Sequence, residues 1–178
     1  MEIYVMRHGR TFWNEQGITQ GRTNNELSDF GKEFTEKVAE NFKDKKIDVI
    51  FTSPLKRTVQ TSEIINQYHN VKIVKDERII EIDEGIFTGT RFIDLTDEEK
   101  VLKKAYSQSC NIESPLNVFS RVKDFVNWLK VQPYNSVLVV SHGIIVSYLE
   151  HILSNKNAEF VQPLDTFDNA EIKHFNLN

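Results

Sequence analysis

Ile3-Tyr4-Val5-Met6-Arg7-His8-Gly9 and Val137-Leu138-Val139-Val140-Ser141-His142-Gly143 are two apolar runs that each end in a His-Gly step. A third run, Val49-Ile50-Phe51-Thr52-Ser53, stops just before Pro54-Leu55-Lys56-Arg57. Short runs rich in β-branched residues read as strands, and Val137–Val140 has the composition of a strand buried on both faces. Open α/β sheets bind ligands outside the carboxyl ends of their strands. Three strands ending together would bring Arg7, His8, Arg57 and His142 to one rim.

Helix patterns lie between these strands. Ser28 offers an N-cap, and Phe30, Phe34, Val38 and Phe42, with Ala39 beside them, predict a helix over 29–43 packing that stripe on the sheet. Ser53 as N-cap and Pro54 at the first helical position predict another, carried by Leu55, Val59, Ser62 and Ile65. Val71 and Ile73 alternate with Lys72 and Lys75 as a half-wet strand would. Thr96-Asp97-Glu98-Glu99 has the form of a capping box for a helix reaching about residue 106. Val118, Val122, Phe125 and Leu129 mark an amphipathic helix ended by Pro133, and a helix over 144–153 follows the last strand. Arg10 to Asn25 has no clear period and reads as a loop over the strand ends. This alternation predicts a three-layer α/β/α sandwich with a mainly parallel sheet, in one domain over 1–178. An excursion around 90–116 should overhang the site.

The 178 residues, 39% of them hydrophobic with 12 Phe, suffice for one core. A net charge of −4 argues against a nucleic-acid partner, which needs a broad basic face. Any anion recognition must be local. Cys110 is the single cysteine, which excludes an intramolecular disulfide and a thiolate metal cluster and suits a reducing cytoplasm. No window approaches roughly 18 uninterrupted apolar residues, and the first residues lack a signal-peptide pattern. A cytoplasmic protein with no membrane partner is expected; nothing in the sequence sets an oligomeric state.

The rim residues suit a phosphomonoester. Such a group carries nearly two negative charges, and the planar forks of Arg7 and Arg57 match its oxygens. Cations beside His8 disfavour imidazolium and leave the ring neutral and nucleophilic. His142 can take a proton when the dianion arrives and hold a third oxygen. Glycines 9 and 143 would let the backbone approach the phosphate. Chemistry also needs a proton donor for the leaving oxygen, and residue type alone does not choose among Glu77, Glu81, Asp83 and Glu84.

Arg7-His8-Gly9, Thr11, Trp13-Asn14, Gln20-Gly21, Leu27-Ser28 with Gly31, Thr52-Ser53 with Leu55, Arg57 and Thr61, and Ser141-His142-Gly143 together resemble the histidine phosphatase superfamily over nearly the whole chain. Within it the chain looks like the small phosphoglycerate-mutase-like phosphatases. The resemblance implies a phosphohistidine intermediate on His8, catalysis shared with Arg7, Arg57 and His142, and substrate contacts from Asn14, Gln20, Gly21 and Gly143 besides the two arginines. A small phosphorylated substrate is expected, with no metal and no cofactor. The family's proton donor is a Glu four residues before a Gly, which in Glu81-Ile82-Asp83-Glu84-Gly85 selects Glu81 and leaves Glu77 and Glu84 as solvated loop residues. His69, His151 and His174 match no family motif and read as surface or satisfied core residues.

The chain departs from the family pattern at Arg10, Glu26, Phe87, Thr88 and Ile112-Glu113-Ser114, all expected at the rim. A metal-dependent hydrolase is disfavoured, because Arg7 beside a ligand would repel a divalent cation. A cofactor-dependent mutase is the nearer alternative, but 178 residues leave little for the insertions such mutases carry. A non-catalytic binder of phosphorylated ligands would have no use for His8, Glu81 and His142 together.

Overall fold

The computed structural model describes residues 1–155, 157–162 and 167–177. Its centre is a five-stranded sheet built from β1 (Glu2–Arg7), β2 (Val49–Thr52), β3 (Lys72–Lys75), β4 (Ser136–Ser141) and β5 (Ile172–Asn176), in the order β3-β2-β4-β1-β5. The pairs β1–β4, β2–β4 and β2–β3 are parallel, and only β5 runs antiparallel, against β1. The six α-helices among the described residues are α1 (Phe12–Glu15), α2 (Asp29–Phe42), α3 (Lys56–Asn66), α4 (Asp97–Lys104), α5 (Pro115–Leu129) and α6 (Gly143–Ser154).

Strand side chains alternate between faces, so one sheet feeds two cores. Ile3, Val5, Val49, Phe51, Val137 and Val139 point to α5 and α6, where they meet Val118, Val122, Phe125, Val146 and Leu149. Met6, Ile50, Leu138 and Val140 point the other way, to Ala39 and Phe42 of α2 and Ile65 of α3. This is the expected α/β/α sandwich. Every residue of β4 is buried, as its unbroken apolar run predicts. Full burial of each such Val or Leu is worth about 1.5–3 kcal/mol.

Several local expectations need correction. In α2 the buried face is Gly31, Thr35, Ala39 and Phe42, while Phe30 and Phe34 are 57% and 45% exposed. The helix lies too close to the loop after β1 for an aromatic stripe: a Cβ on Gly31 would stand 1.9 Å from the Arg10 carbonyl oxygen. Ser28 does cap it, accepting from Gly31 N. Ser53 and Pro54 do not open α3, which begins at Lys56 with Leu55 as a cap lacking any side-chain bond. The loop after Gly9 contains α1, held by a Thr11–Asn14 capping box. The Thr96 box is present, but α4 ends at Lys104, and Tyr106 adopts a left-handed φ of 50°. Helix α5 ends at Leu129, short of Pro133. Strand β5 was not anticipated; as an edge strand it is only partly buried and carries a weak alternation. No helix among the described residues is long and apolar enough to cross a membrane.

Candidate active site

Main-chain bonds draw three strand ends together. His8 N donates to Ser141 O at 2.9 Å, and Ser53 N donates to Val140 O at 3.1 Å. Arg7 and His8 thus leave β1, Ser53 leaves β2, and His142 leaves β4 on one edge of the sheet. Arg57 reaches the same edge from the first turn of α3. These residues border or back a cavity of about 280 Å³ whose lining includes Arg7, His8, Asn14, Gln20, Gly21, Arg57, Glu81 and Gly143. His142 sits behind His8, ring centroids 5.2 Å apart at 62°.

The two histidines take opposite tautomers. His8 Nδ1 lies 2.7 Å from Gly9 O; a carbonyl only accepts, so Nδ1 carries the proton and Nε2 keeps a free lone pair. His142 Nδ1 receives Arg57 Nε–H at 3.1 Å. That nitrogen is therefore unprotonated, and the Nε2–H faces Ser53 Oγ at 2.7 Å. Burial, then Arg57, holds both histidines well below the usual imidazole range. Both rings are neutral in this geometry, and the proton that His142 can offer an oxygen is the one on Nε2.

Arg57 is 1% exposed. Besides His142 it donates from Nη1 to Thr23 O at 2.7 Å and from Nη2 to Gly21 O at 2.8 Å. These bonds use three of five N–H groups, which fixes the plane of the fork and leaves one N–H on each terminal nitrogen. Burial pushes its pKa down to about 10, so it remains a cation at neutral pH. Arg7 Nη1 donates to Phe167 O at 2.5 Å, which ties β1 to the segment before β5. Gln20 Oε1 accepts from Thr11 and Asn25, and Asn14 Oδ1 accepts from Thr11 N. With both oxygens held by the loop, both amide NH₂ groups are left to donate into the cavity. Gly143 and Ile144 open α6 on the cavity wall, where first-turn amides favour an anion.

Of the four acidic candidates, Glu81 and Glu84 line the cavity. Asp83 instead accepts from Gly85 N, and Glu77 is exposed. Burial raises the Glu81 carboxyl to about 7, against the opposing pull of Arg57. The Ile82 amide orients it, donating to Oε1 at 3.0 Å.

Two sequence expectations fail here. Glu84 is not solvated: it pairs with Lys103 Nζ at 2.6 Å, with side chains 16% and 15% exposed. Gly9 does not serve the phosphate approach; a Cβ there would stand 2.3 Å from Thr35 Oγ1 of α2. The expected overhang is present, since Lys103 and Tyr106 reach the cavity from the segment around α4. Sequence reasoning missed Ile18, Thr19, Lys103, Tyr106 and Ile144 on this wall, and weighed Glu84 only as a proton donor before assigning it to solvent. The only signal for Glu84 was its place three residues after Glu81.

An acid near neutrality, a neutral imidazole with a free nitrogen, and fixed guanidinium forks can together transfer a phosphoryl group. The sequence pattern describing the histidine phosphatase superfamily (branch 1) matches residues 3–178. The chain is 30% identical over 151 residues to phosphoserine phosphatase 1 of Hydrogenobacter thermophilus, covering 81% of this chain and 72% of that one. It is 31% identical over 156 residues to a probable phosphoglycerate mutase of Proteus mirabilis, covering 84% and 73%. The solved structure of YhfR from Bacillus stearothermophilus superposes with a TM-score of 0.85 at 20% identity, over 99% of this chain and 91% of that one.

Proposed function

From the premise that the chain belongs to the histidine phosphatase superfamily, we propose that it is a metal-independent phosphatase that hydrolyses a small phosphomonoester through a phosphohistidine on His8. The observation that carries this reading is the His8 Nδ1–Gly9 O bond, which leaves Nε2 as a lone pair directed away from its own backbone. A nucleophile must be deprotonated at neutral pH, and the buried, cation-flanked ring is.

The first step forms a bond from His8 Nε2 to phosphorus and breaks the ester P–O bond. Glu81 gives its proton to the departing oxygen. In the second step water attacks phosphorus, Glu81 takes the water proton, and the P–N electron pair returns to Nε2, releasing inorganic phosphate. A carboxyl near 7 is suited to both halves, since each protonation state is well populated at neutral pH. Arg7, the free N–H groups of Arg57, and His142 Nε2–H stabilise the phosphoryl oxygens as charge redistributes. Asn14, Gln20, Gly21 and Gly143 position the ester.

Mutase activity would share the first step and return the phosphoryl group to a substrate hydroxyl. One assay separates the two: the protein is incubated with p-nitrophenyl phosphate and with 3-phosphoglycerate, the latter with and without a catalytic amount of 2,3-bisphosphoglycerate to prime the histidine. Release of inorganic phosphate with no 2-phosphoglycerate supports hydrolysis; isomer formation faster than phosphate release overturns it.

A further inference from the structure

The Glu84–Lys103 pair lines the same cavity; its negative charge adds to the raised pKa of Glu81, but neither side chain gives or takes a group in the phosphoryl transfer. Most other ion pairs among the described residues, such as Lys37–Glu33 with side chains 67% and 66% exposed, are more solvated and energetically minor; Arg121–Glu113 is as withdrawn but does not line the cavity. Glu84 and Lys103 are largely withdrawn from water, with the Lys103 ammonium also 5.3 Å from the Phe87 ring centre. Desolvating a charge pair is costly, and a pair held on the wall of a cavity presents a ligand with both signs of charge side by side.

We infer that this wall recognises a zwitterion: the substrate is a small phosphomonoester bearing both an ammonium and a carboxylate, an O-phosphorylated α-amino acid, with Lys103 taking the carboxylate and Glu84 the ammonium. The inference rests on the phosphatase reading above and names its substrate class. A zwitterion exchanges partners with the pair and leaves no charge unmatched. A ligand with a carboxylate alone meets Glu84, whose oxygen already neutralises Lys103 at 2.6 Å; a ligand with an ammonium alone meets Lys103. Either leaves one buried charge without a partner, the strongest basis for rejecting a close analogue. The cavity of about 280 Å³ suits a molecule of this size. A phosphoserine within a peptide lacks both free charges.

Three probes share one skeleton. O-Phospho-L-serine and 3-phosphoglycerate differ only in ammonium against hydroxyl, and O-phosphoethanolamine lacks the carboxylate. The native enzyme should favour phosphoserine in kcat/KM by about 10–100-fold over each of the others. Glu84→Gln should collapse its advantage over 3-phosphoglycerate, and Lys103→Met its advantage over phosphoethanolamine. Both readouts are ratios within one protein, so a general loss of activity cancels, and either variant suffices if the other fails to fold. Equal use of phosphoserine and 3-phosphoglycerate by the native enzyme, or a preference that survives in the variants, overturns the inference. If p-nitrophenyl phosphate is hydrolysed and phosphoserine is not, the inference falls and the phosphatase reading stands. If no ester is hydrolysed, both fall.

Discussion

Glu81 offers the sharpest quantitative prediction. With its carboxyl near 7, about half of the molecules hold the acid at pH 7. A carboxyl at the ordinary 4.5 would be protonated in only about one molecule in 300 by the same equilibrium. For an alkyl phosphate, kcat/KM should therefore fall about tenfold per pH unit above 7, because only the protonated enzyme can assist the leaving oxygen. Below about pH 6 the substrate's own second ionisation gives the opposite limb. Glu81→Gln should lose about 10²–10⁴ in rate on the alkyl ester and lose the alkaline limb with it. p-Nitrophenyl phosphate, whose leaving group departs without a proton, should be affected far less and show no limb near 7 in the phosphorylation step. The assay is single-turnover phosphorylation across pH 5–9 with both esters. Equal slowing on the two esters, or an alkaline limb that persists in Glu81→Gln, would refute the role; so would a full-rate Glu81→Gln beside a crippled Glu84→Gln.

Three further outcomes follow from the same geometry. Long-range ¹⁵N NMR should place the proton of His8 on Nδ1 and that of His142 on Nε2, and matching tautomers on the two rings would contradict the bond assignments. Arg57→Lys keeps a charge but cannot serve His142, Gly21 and Thr23 at once. It should lower kcat by roughly 10²–10³, and native rates would exclude the fork. Activity should be unchanged by EDTA in a buffer scrubbed of divalent cations; loss restored by added metal would replace the mechanism.

Much of the site was legible because its residues follow strand ends. Apolar runs reveal strands, and Arg7-His8, Ser53 and Ser141-His142 sit where those runs stop, so their convergence follows from a parallel sheet. Choosing Glu81 needed family resemblance, since burial, which sets its acidity, cannot be read from an acidic loop. The helix α2 misreading has a related cause. Hydropathy credits Phe30 and Phe34, whereas the buried face is Gly31, Thr35, Ala39 and Phe42, of which the small Gly31 and Thr35 admit the loop carrying Arg10 and Gly9. Ser53 resembled an N-cap because caps and active-site hydroxyls draw on the same residue; here its hydroxyl serves His142. Lys103 could not be singled out by sequence, since its helix also carries Lys100 and Lys104 and only the fold turns this ammonium inward toward Glu84.

The central claim is a covalent phosphoryl group on one particular nitrogen. Rapid quench of the native protein with ³²P-labelled substrate, followed by alkaline digestion, should yield an acid-labile, alkali-stable adduct on His8. Because Nδ1–H is committed to Gly9 O, the phosphoryl group should sit on Nε2, and His8→Ala should give no adduct. Label on another residue, on His8 Nδ1, or undiminished in His8→Ala would contradict the account.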